Sequence, residues 1–216
     1  MSDIWSARAQ AFRDSPKHRE GPDLNVLVEM CEPGEGVKVL DVATGGGHVA
    51  RRLREEGCTV VTVDPAPGMR PDVIARAEDL PFGDGSFDVV TCRIAPHHFA
   101  DVRKAVAEMA RISQRLVVVE DNLYVDEQVE TAERLRDPTH VRCYSEEEWK
   151  EMLTDSGLEV ERAELFERHP NVDDWLARVE TPEDDAQRVK ELLGDRISDG
   201  AVRFQSIVLK ARQSQG

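Results

Sequence analysis

The feature that most constrains this chain is a recurring unit: a short apolar β-run, a loop, then an amphipathic helical stretch. Residues 37–42 (VKVLDV), 58–63 (CTVVTV), 86–92 (SFDVVTC) and 115–120 (RLVVVE) are of strand length and rich in valine. They are nearly continuous in apolar character, as strands covered on both sheet faces are. A short extended piece at 72–76 and later runs at 158–167 and 202–211 bring the expected strands to seven. Residues 46–56 and 101–112 read as helices, the latter with Val102, Ala105, Val106, Met109 and Ile112 on one face. Ser145 followed by Glu148 is a capping-box signature for a helix over 145–156, which lines up Trp149, Met152 and Leu153 and stops at Gly157. The pattern predicts an α/β fold, a doubly wound, mostly parallel, seven-stranded sheet. Ligands in such sheets sit outside the carboxyl ends of the strands, where strand order reverses. Functional residues are therefore expected just after strands.

Residues 1–216 read as a single domain. Residues 37–121 form its core and 122–216 a second, substrate-side half. Two segments fall outside the alternation. Residues 1–32 read as a helical cap split by Gly21-Pro22, and 171–194 as a helical insert before the last strand, jointed at Thr181-Pro182. Either can cover a ligand cleft or simply pack.

Composition narrows the partners. With 43 acidic against 28 basic residues the formal charge is −15, which argues against a phosphate backbone or an anionic membrane surface as partner. The four cysteines (Cys31, Cys58, Cys92, Cys143) form no C-x-x-C pair, and three lie in apolar runs. They are expected to be buried free thiols in a reducing cytoplasm. No signal-peptide core precedes them and no run reaches membrane-spanning length, so a cytoplasmic protein, monomeric or homodimeric, is expected.

The first strand-loop-helix unit carries the chemistry. Its strand ends in Val39-Leu40-Asp41-Val42-Ala43-Thr44-Gly45-Gly46-Gly47-His48. Glycines ahead of a helix N-terminus let a polar ligand approach the backbone. A dinucleotide fingerprint spaces its glycines as G-x-G-x-x-G, whereas here they are consecutive and none follows at the third position. Asp41 would repel a pyrophosphate, but it suits a ligand carrying an ammonium group; its plainer reading is a buried acid accepting loop amides. Asp64 ends the second strand, where an acid accepts ribose hydroxyls. Together these residues specify a nucleoside with a zwitterionic amino-acid tail, S-adenosylmethionine. A nicotinamide-dependent oxidoreductase is the competing reading, and a cofactor-binding module without catalysis is another.

The segments VLDVATGGGHVA (39–50), VVTVDPAPGM (60–69), ARAEDLPFGDGSFDVVTCRIAPHHF (75–99) and the helix-strand run 101–121 resemble class I S-adenosylmethionine-dependent methyltransferases. Within that class they are similar to the small-molecule enzymes of the ubiquinone/menaquinone-biosynthesis type. The resemblance implies a Rossmann-like methyltransferase fold and transfer of a methyl group to a small-molecule acceptor. It places Asp41, Ala43, Gly45 and Gly47 by the methionine part of the cofactor, with Thr44 among them. It puts Asp64, next to Pro65, on the ribose and Met69 on the adenine. Ala77 and Glu78, with Asp79, fall at the adenine edge, and Arg93, Ile94 and Ala95 near the sulfonium.

The chain departs from that pattern in four places. Ala43 replaces the first glycine of the loop, which a small side chain should tolerate. Arg76 stands where an acceptor for the adenine amine is usual, and a guanidinium cannot accept. Pro65, Pro67 and Pro71 leave no room for a full helix before Glu78. Ser113-Gln114 replaces the turn that usually precedes the next strand.

Methyl transfer needs a base only where the acceptor must lose a proton. Histidine suits that task at neutral pH. His97 and His98 in R-I-A-P-H-H-F and His140 in D-P-T-H-V-R are the candidates, each also readable as a loop or capping residue. His18 and His48 are weaker. Asp121, Asn122, Tyr124, Arg136, Arg142 and Tyr144 are further polar groups; an arginine facing the cleft would favour an anionic acceptor. The histidines and cysteines lack metal-ligand spacing, so no metal is expected.

Overall fold

The computed structural model describes residues 2–13 and 19–214. The weaker candidate His18 and part of the N-terminal cap lie outside them. Among the described residues the sheet has six strands: β1 Lys38–Val42, β2 Thr59–Val63, β3 Phe87–Arg93, β4 Ser113–Asn122, β5 Leu158–Arg168 and β8 Phe204–Gln213. Their order is β2-β1-β3-β4-β8-β5. The first four pair in parallel, while β8 runs antiparallel between β4 and β5. Two short strands, β6 Ile197–Ser198 and β7 Ala201–Val202, form a separate hairpin.

The fold class is the expected one, but not the strand count. The 72–76 segment contributes a single parallel bridge, Val63 to Val73. The physical cause lies in the residues before it. Pro67–Met69 form one 3-10 turn and Arg70 turns left-handed at φ 57°, so the chain returns to β2 with no length left for a ladder. Asp72 completes the junction by accepting from the Thr62 amide (2.9 Å) and hydroxyl (2.7 Å).

Helices α1 Ser2–Arg13, α2 Pro22–Met30, α3 His48–Glu55, α4 Val102–Ile112, α5 Glu127–Arg136, α6 Glu146–Asp155, α7 Val172–Ala177 and α8 Glu183–Leu193 surround the sheet. Strand alternation sorts the core. Leu40, Val42, Val90, Cys92, Val117 and Val119 face α4 and α6, where Met109 and Trp149 are buried. Val39, Val89, Leu116 and Val118 face α2 and α3. A third cluster joins Val129 and Ala132 of α5 to Trp175, Leu176, Val189 and Leu193 of the insert. The capping box at Ser145 forms as the spacing predicts. The helix α5, capped by Asp126, is not marked by any expectation above; its buried positions include Glu130 and Glu133, so its apolar stripe is broken. All four cysteines are buried and free. Among the described residues no helix is long and apolar enough to cross a membrane.

The carboxyl ends of three strands are tied by a buried ring of charge. Arg93 at the end of β3 donates to Asp23 of α2 (2.6 Å) and to Glu120 of β4 (2.7 Å). Arg168 at the end of β5 donates to the same two acids, at 2.7 and 2.5 Å. Burial pushes Glu120 up to about 7 despite both guanidinium groups, while Asp23 stays below its usual range beside them. Removing one member of such a ring leaves buried charge uncompensated. Arg93→Ala is therefore expected to lower unfolding free energy by about 3–5 kcal/mol in urea denaturation; a loss below about 1 kcal/mol would mean the ring is screened like a surface pair.

Candidate active site

The order β2-β1-β3 places the reversal of strand order between β1 and β3, where Val42 pairs with Cys92. Past each of these ends the chain turns sharply through a left-handed residue, Ala43 at φ 54° and Ile94 at φ 50°. For β-branched Ile94 this is a strained conformation. Each turn is pinned to the neighbouring strand: Thr44 N–H donates to Val63 O (3.0 Å) and Ile94 N–H to Glu120 O (2.8 Å). The two chains diverge here and leave a cavity of about 520 Å³, within the range of small-ligand sites.

Of the expected cofactor residues, Asp41, Ala43, Thr44, Gly45, Asp64, Pro65, Met69, Ala77, Glu78, Arg93 and Ile94 line this cavity. Gly47 and Asp79 do not. Gly47 is the left-handed N-cap of α3 (φ 75°), and Asp79 is exposed beyond the turn it forms with Arg76. The sequence did not mark Trp5 and Phe12, which close the cavity from α1. That helix packs directly on the loops. His48 Nε2 meets Phe12 O at 2.9 Å, Gly68 N–H donates to Ser6 Oγ (3.0 Å) and Arg13 donates to Gly68 O (2.8 Å). A Cβ on Gly68 would lie 2.5 Å from the Ser6 Cα, so glycine is required for this contact.

The two acids at the strand ends are held differently. Asp64 accepts the amides of Gly45 (3.0 Å, Oδ2) and Ala66 (2.9 Å, Oδ1). It is thus the acid that ties the glycine loop down, a task the sequence suggested for Asp41. Each of its oxygens keeps a second acceptor site for hydroxyl groups. Asp41 is 2% exposed and accepts from the Thr44 hydroxyl at 2.5 Å. Burial dominates there and pushes its carboxyl up to about 6. Glu78 accepts from Ala100 N–H (2.9 Å) and pairs with Arg76 (3.1 Å). The out-of-pattern Arg76 is therefore a partner of Glu78. The Arg93 guanidinium is committed to the buried ring, although the residue borders the cavity.

A second cavity of about 270 Å³ adjoins the first and shares Trp5, Phe12, Ile94 and His98 with it. His97 lines only this second cavity, and His98 lines both. His97 Nδ1 lies 2.5 Å from Asp121 Oδ1. His98 Nδ1 lies 3.1 Å from Thr139 O. Among the described residues neither Nε2 has a hydrogen-bond partner. Burial drives the His97–Asp121 pair toward neutrality, with the imidazole lowered and the carboxyl raised. His140 lines neither cavity. It is buried against Glu130 (3.0 Å) with Cys143 alongside, and those three groups lie within 4.8 Å of one another. The fold thus gathers residues that sequence spacing did not connect, and it removes His140 from the candidate bases. Arg136 borders the second cavity; Arg142 is exposed and paired with Glu148 (2.6 Å).

An open α/β sheet with its cavity at the strand reversal, two strand-end acids and a glycine loop is the ligand-site arrangement of doubly wound folds. Residues 7–163 match the methyltransferase domain family, and the chain belongs to it. It is 33% identical over 207 residues to the uncharacterised methyltransferase YcgJ of Bacillus subtilis (strain 168), covering 86% of this chain and 82% of that one. The crystal structure of YcgJ superposes with a TM-score of 0.80 at 28% identity, over 90% of this chain and 99% of that one. The demethylmenaquinone methyltransferase of Renibacterium salmoninarum is 39% identical over 108 residues, 44% of this chain and 46% of its own length. A geranyl diphosphate methyltransferase, solved with geranyl diphosphate and sinefungin, shares the fold at TM-score 0.67 and 14% identity, over 88% of this chain and 76% of that one.

Burial raises the carboxyls of both strand-end acids above their usual range, but neutralising Asp41 and truncating Asp64 should differ in sign, because Asp64 alone holds two loop amides. The folded-state pKa of Asp41 lies above its unfolded value. Its stabilising contribution is therefore fully present at low pH and is lost as pH rises through about 6. Asp41→Asn is expected to stabilise the free protein at pH 8 by about 1–3 kcal/mol, and by less at pH 5. Asp64→Ala strands two loop amides and is expected to destabilise by about 1–3 kcal/mol. Paired thermal or urea unfolding at both pH values checks this; the same sign for both variants contradicts the assignment. Ala43→Gly is expected to raise stability by up to about 1 kcal/mol through relief of its left-handed strain; a loss of stability would contradict it.

Proposed function

We propose that the chain is an S-adenosylmethionine-dependent methyltransferase acting on a small-molecule acceptor, with the cofactor in the larger cavity and the acceptor in the smaller. The observation that carries this reading is Asp41: a desolvated carboxylate at the head of a glycine loop, where a ligand ammonium group would offset its burial. Asp64 would take the ribose hydroxyls on its remaining acceptor sites, and Met69 and Ala77 would border the base. When bound, the cofactor supplies an activated methyl group on a sulfonium. The chain's own residues do the rest. Ile94 and His98, common to both cavities, mark where the cofactor meets its acceptor. Trp5 and Phe12 roof that boundary and exclude water. Where the acceptor must lose a proton, His97 Nε2 receives it in the form in which Asp121 is ionised and accepts from Nδ1–H, since only then does the lone pair lie on Nε2. The imidazole is uncharged at neutral pH because burial disfavours its cation; the same burial weakens it as a base, so proton transfer there draws on the negative charge of Asp121 to hold the imidazolium.

Calorimetric titration with S-adenosylmethionine and with NADH tests the reading. Binding of the first and not the second is expected, and the reverse would sink it. Because Asp41 ionises at about 6 in the free protein, affinity for S-adenosylmethionine should fall as pH drops below that point, approaching tenfold per unit for one proton taken up. A flat profile between pH 5 and 8 would remove the ammonium from Asp41. His97→Ala is expected to lower turnover by about 10²-fold or more, with Asp121→Asn moving it in the same direction and cofactor affinity unchanged in both. His98→Ala should differ from His97→Ala, since His98 lines both cavities and His97 only one. Equal and negligible losses would make both histidines structural.

A further inference from the structure

The smaller cavity has a chemical bias that methyl transfer alone does not require. Three arginines line it: Arg136, Arg168 and Arg178. Two are already committed. Arg168 belongs to the buried ring with Asp23 and Glu120. Arg136 pairs with Glu133 (3.0 Å), donates to Trp175 O (3.2 Å) and stacks on the Trp175 ring at 4.2 Å. Arg178 differs. It is half-buried, and among the described residues its guanidinium makes no hydrogen bond or ion pair. Burial and the charges of Arg136 and Arg168 all work against its cation, with Asp174 opposing them. Arginine stays charged under these conditions, so a lone guanidinium beside two others is an anion site in waiting. The acids that also line the cavity do not fill this role. Glu133 is taken by Arg136, and Asp137 by Arg8 (3.3 Å) and the Thr139 hydroxyl (2.7 Å). Arg178 lines only the smaller cavity, whereas Ile94 and His98 line both. Around it Trp175, Phe204 and Val179 supply apolar surface.

We propose that the acceptor is a small apolar molecule bearing one anionic oxygen group, a carboxylate or a phosphate, anchored on Arg178 with its methyl-accepting atom at the histidine rim. This rests on the methyltransferase reading above. The anion is the handle, and a different atom of the same molecule is methylated. The volume of about 270 Å³ restricts the acceptor to compact molecules.

The test is calorimetric and uses the full chain saturated with S-adenosylhomocysteine. The probes are hydroxybenzoates, their primary amides, and phenyl phosphate. The expected result is at least tenfold tighter binding of acids than of matched amides. That preference should disappear in Arg178→Gln and return in part in Arg178→Lys, with S-adenosylhomocysteine affinity unchanged in both variants. Tighter binding of phenyl phosphate than of the carboxylates would support the anchor and assign a phosphate handle. Equal binding of acids and amides, no binding of either, or a preference that survives Arg178→Gln would overturn the proposal. Failure of S-adenosylhomocysteine itself to bind would overturn the cofactor reading and this inference together, so the two failures are distinguishable.

Discussion

The parallel pairing of β1 with β3 is the constraint from which the rest of the site follows. Val42 and Cys92 lie side by side at the ends of these strands, yet the chain beyond each must travel in opposite directions, toward β2 and toward β4. Two left-handed turns, at Ala43 and Ile94, make the divergence possible within one residue. Backbone strain of this kind persists only where neighbours over-determine it. Here the hydrogen bonds from Thr44 to Val63 and from Ile94 to Glu120, together with the buried ring of Arg93, Arg168, Asp23 and Glu120, hold the crevice open. The larger cavity is the space left between the two turns.

That crevice gathers acids out of water, and the chain compensates each in its own way. Glu120 has two guanidinium partners. Asp64 has two backbone amides, which also shape the glycine loop. Asp121 has an imidazole on one oxygen and none on the other. Asp41 has one hydroxyl, and it remains pushed up toward neutrality. Stability and function pull apart at Asp41: its ionisation is unfavourable in the free protein and becomes favourable beside a ligand cation. A charge of −15 argues against polyanionic partners at long range, but three arginines line the smaller cavity. Net charge therefore argues about macromolecules and not about the small ligand a pocket selects.

Much of this was legible in the sequence because it depends on local pattern. Valine-rich runs between helical stretches specify a parallel sheet, and glycines with Asp41 and Asp64 mark the strand ends around which the larger cavity forms. The Ser145–Glu148 pair announced its helix. What was not legible depends on distant residues meeting. The 72–76 strand fails because a proline-rich turn uses up its length. Arg93 borders the larger cavity, and its guanidinium is taken by Asp23 and Glu120, far apart in sequence. His97 and His140 look equivalent in sequence and both are buried; the fold sets His97 on a cavity and His140 against Glu130. Trp5, Phe12 and Arg178 belong to cap and insert, where no motif marks which face turns inward.

The central claim is that the crevice at the β1–β3 reversal seats a nucleoside by its two strand-end acids. A crystal structure of the protein with S-adenosylhomocysteine tests it most directly. The account predicts the ribose hydroxyls on Asp64, the amino group on Asp41, and the sulfur turned toward Ile94 and His98 where the second cavity opens. A ligand seated elsewhere, or one whose amino group lies away from Asp41, would contradict it.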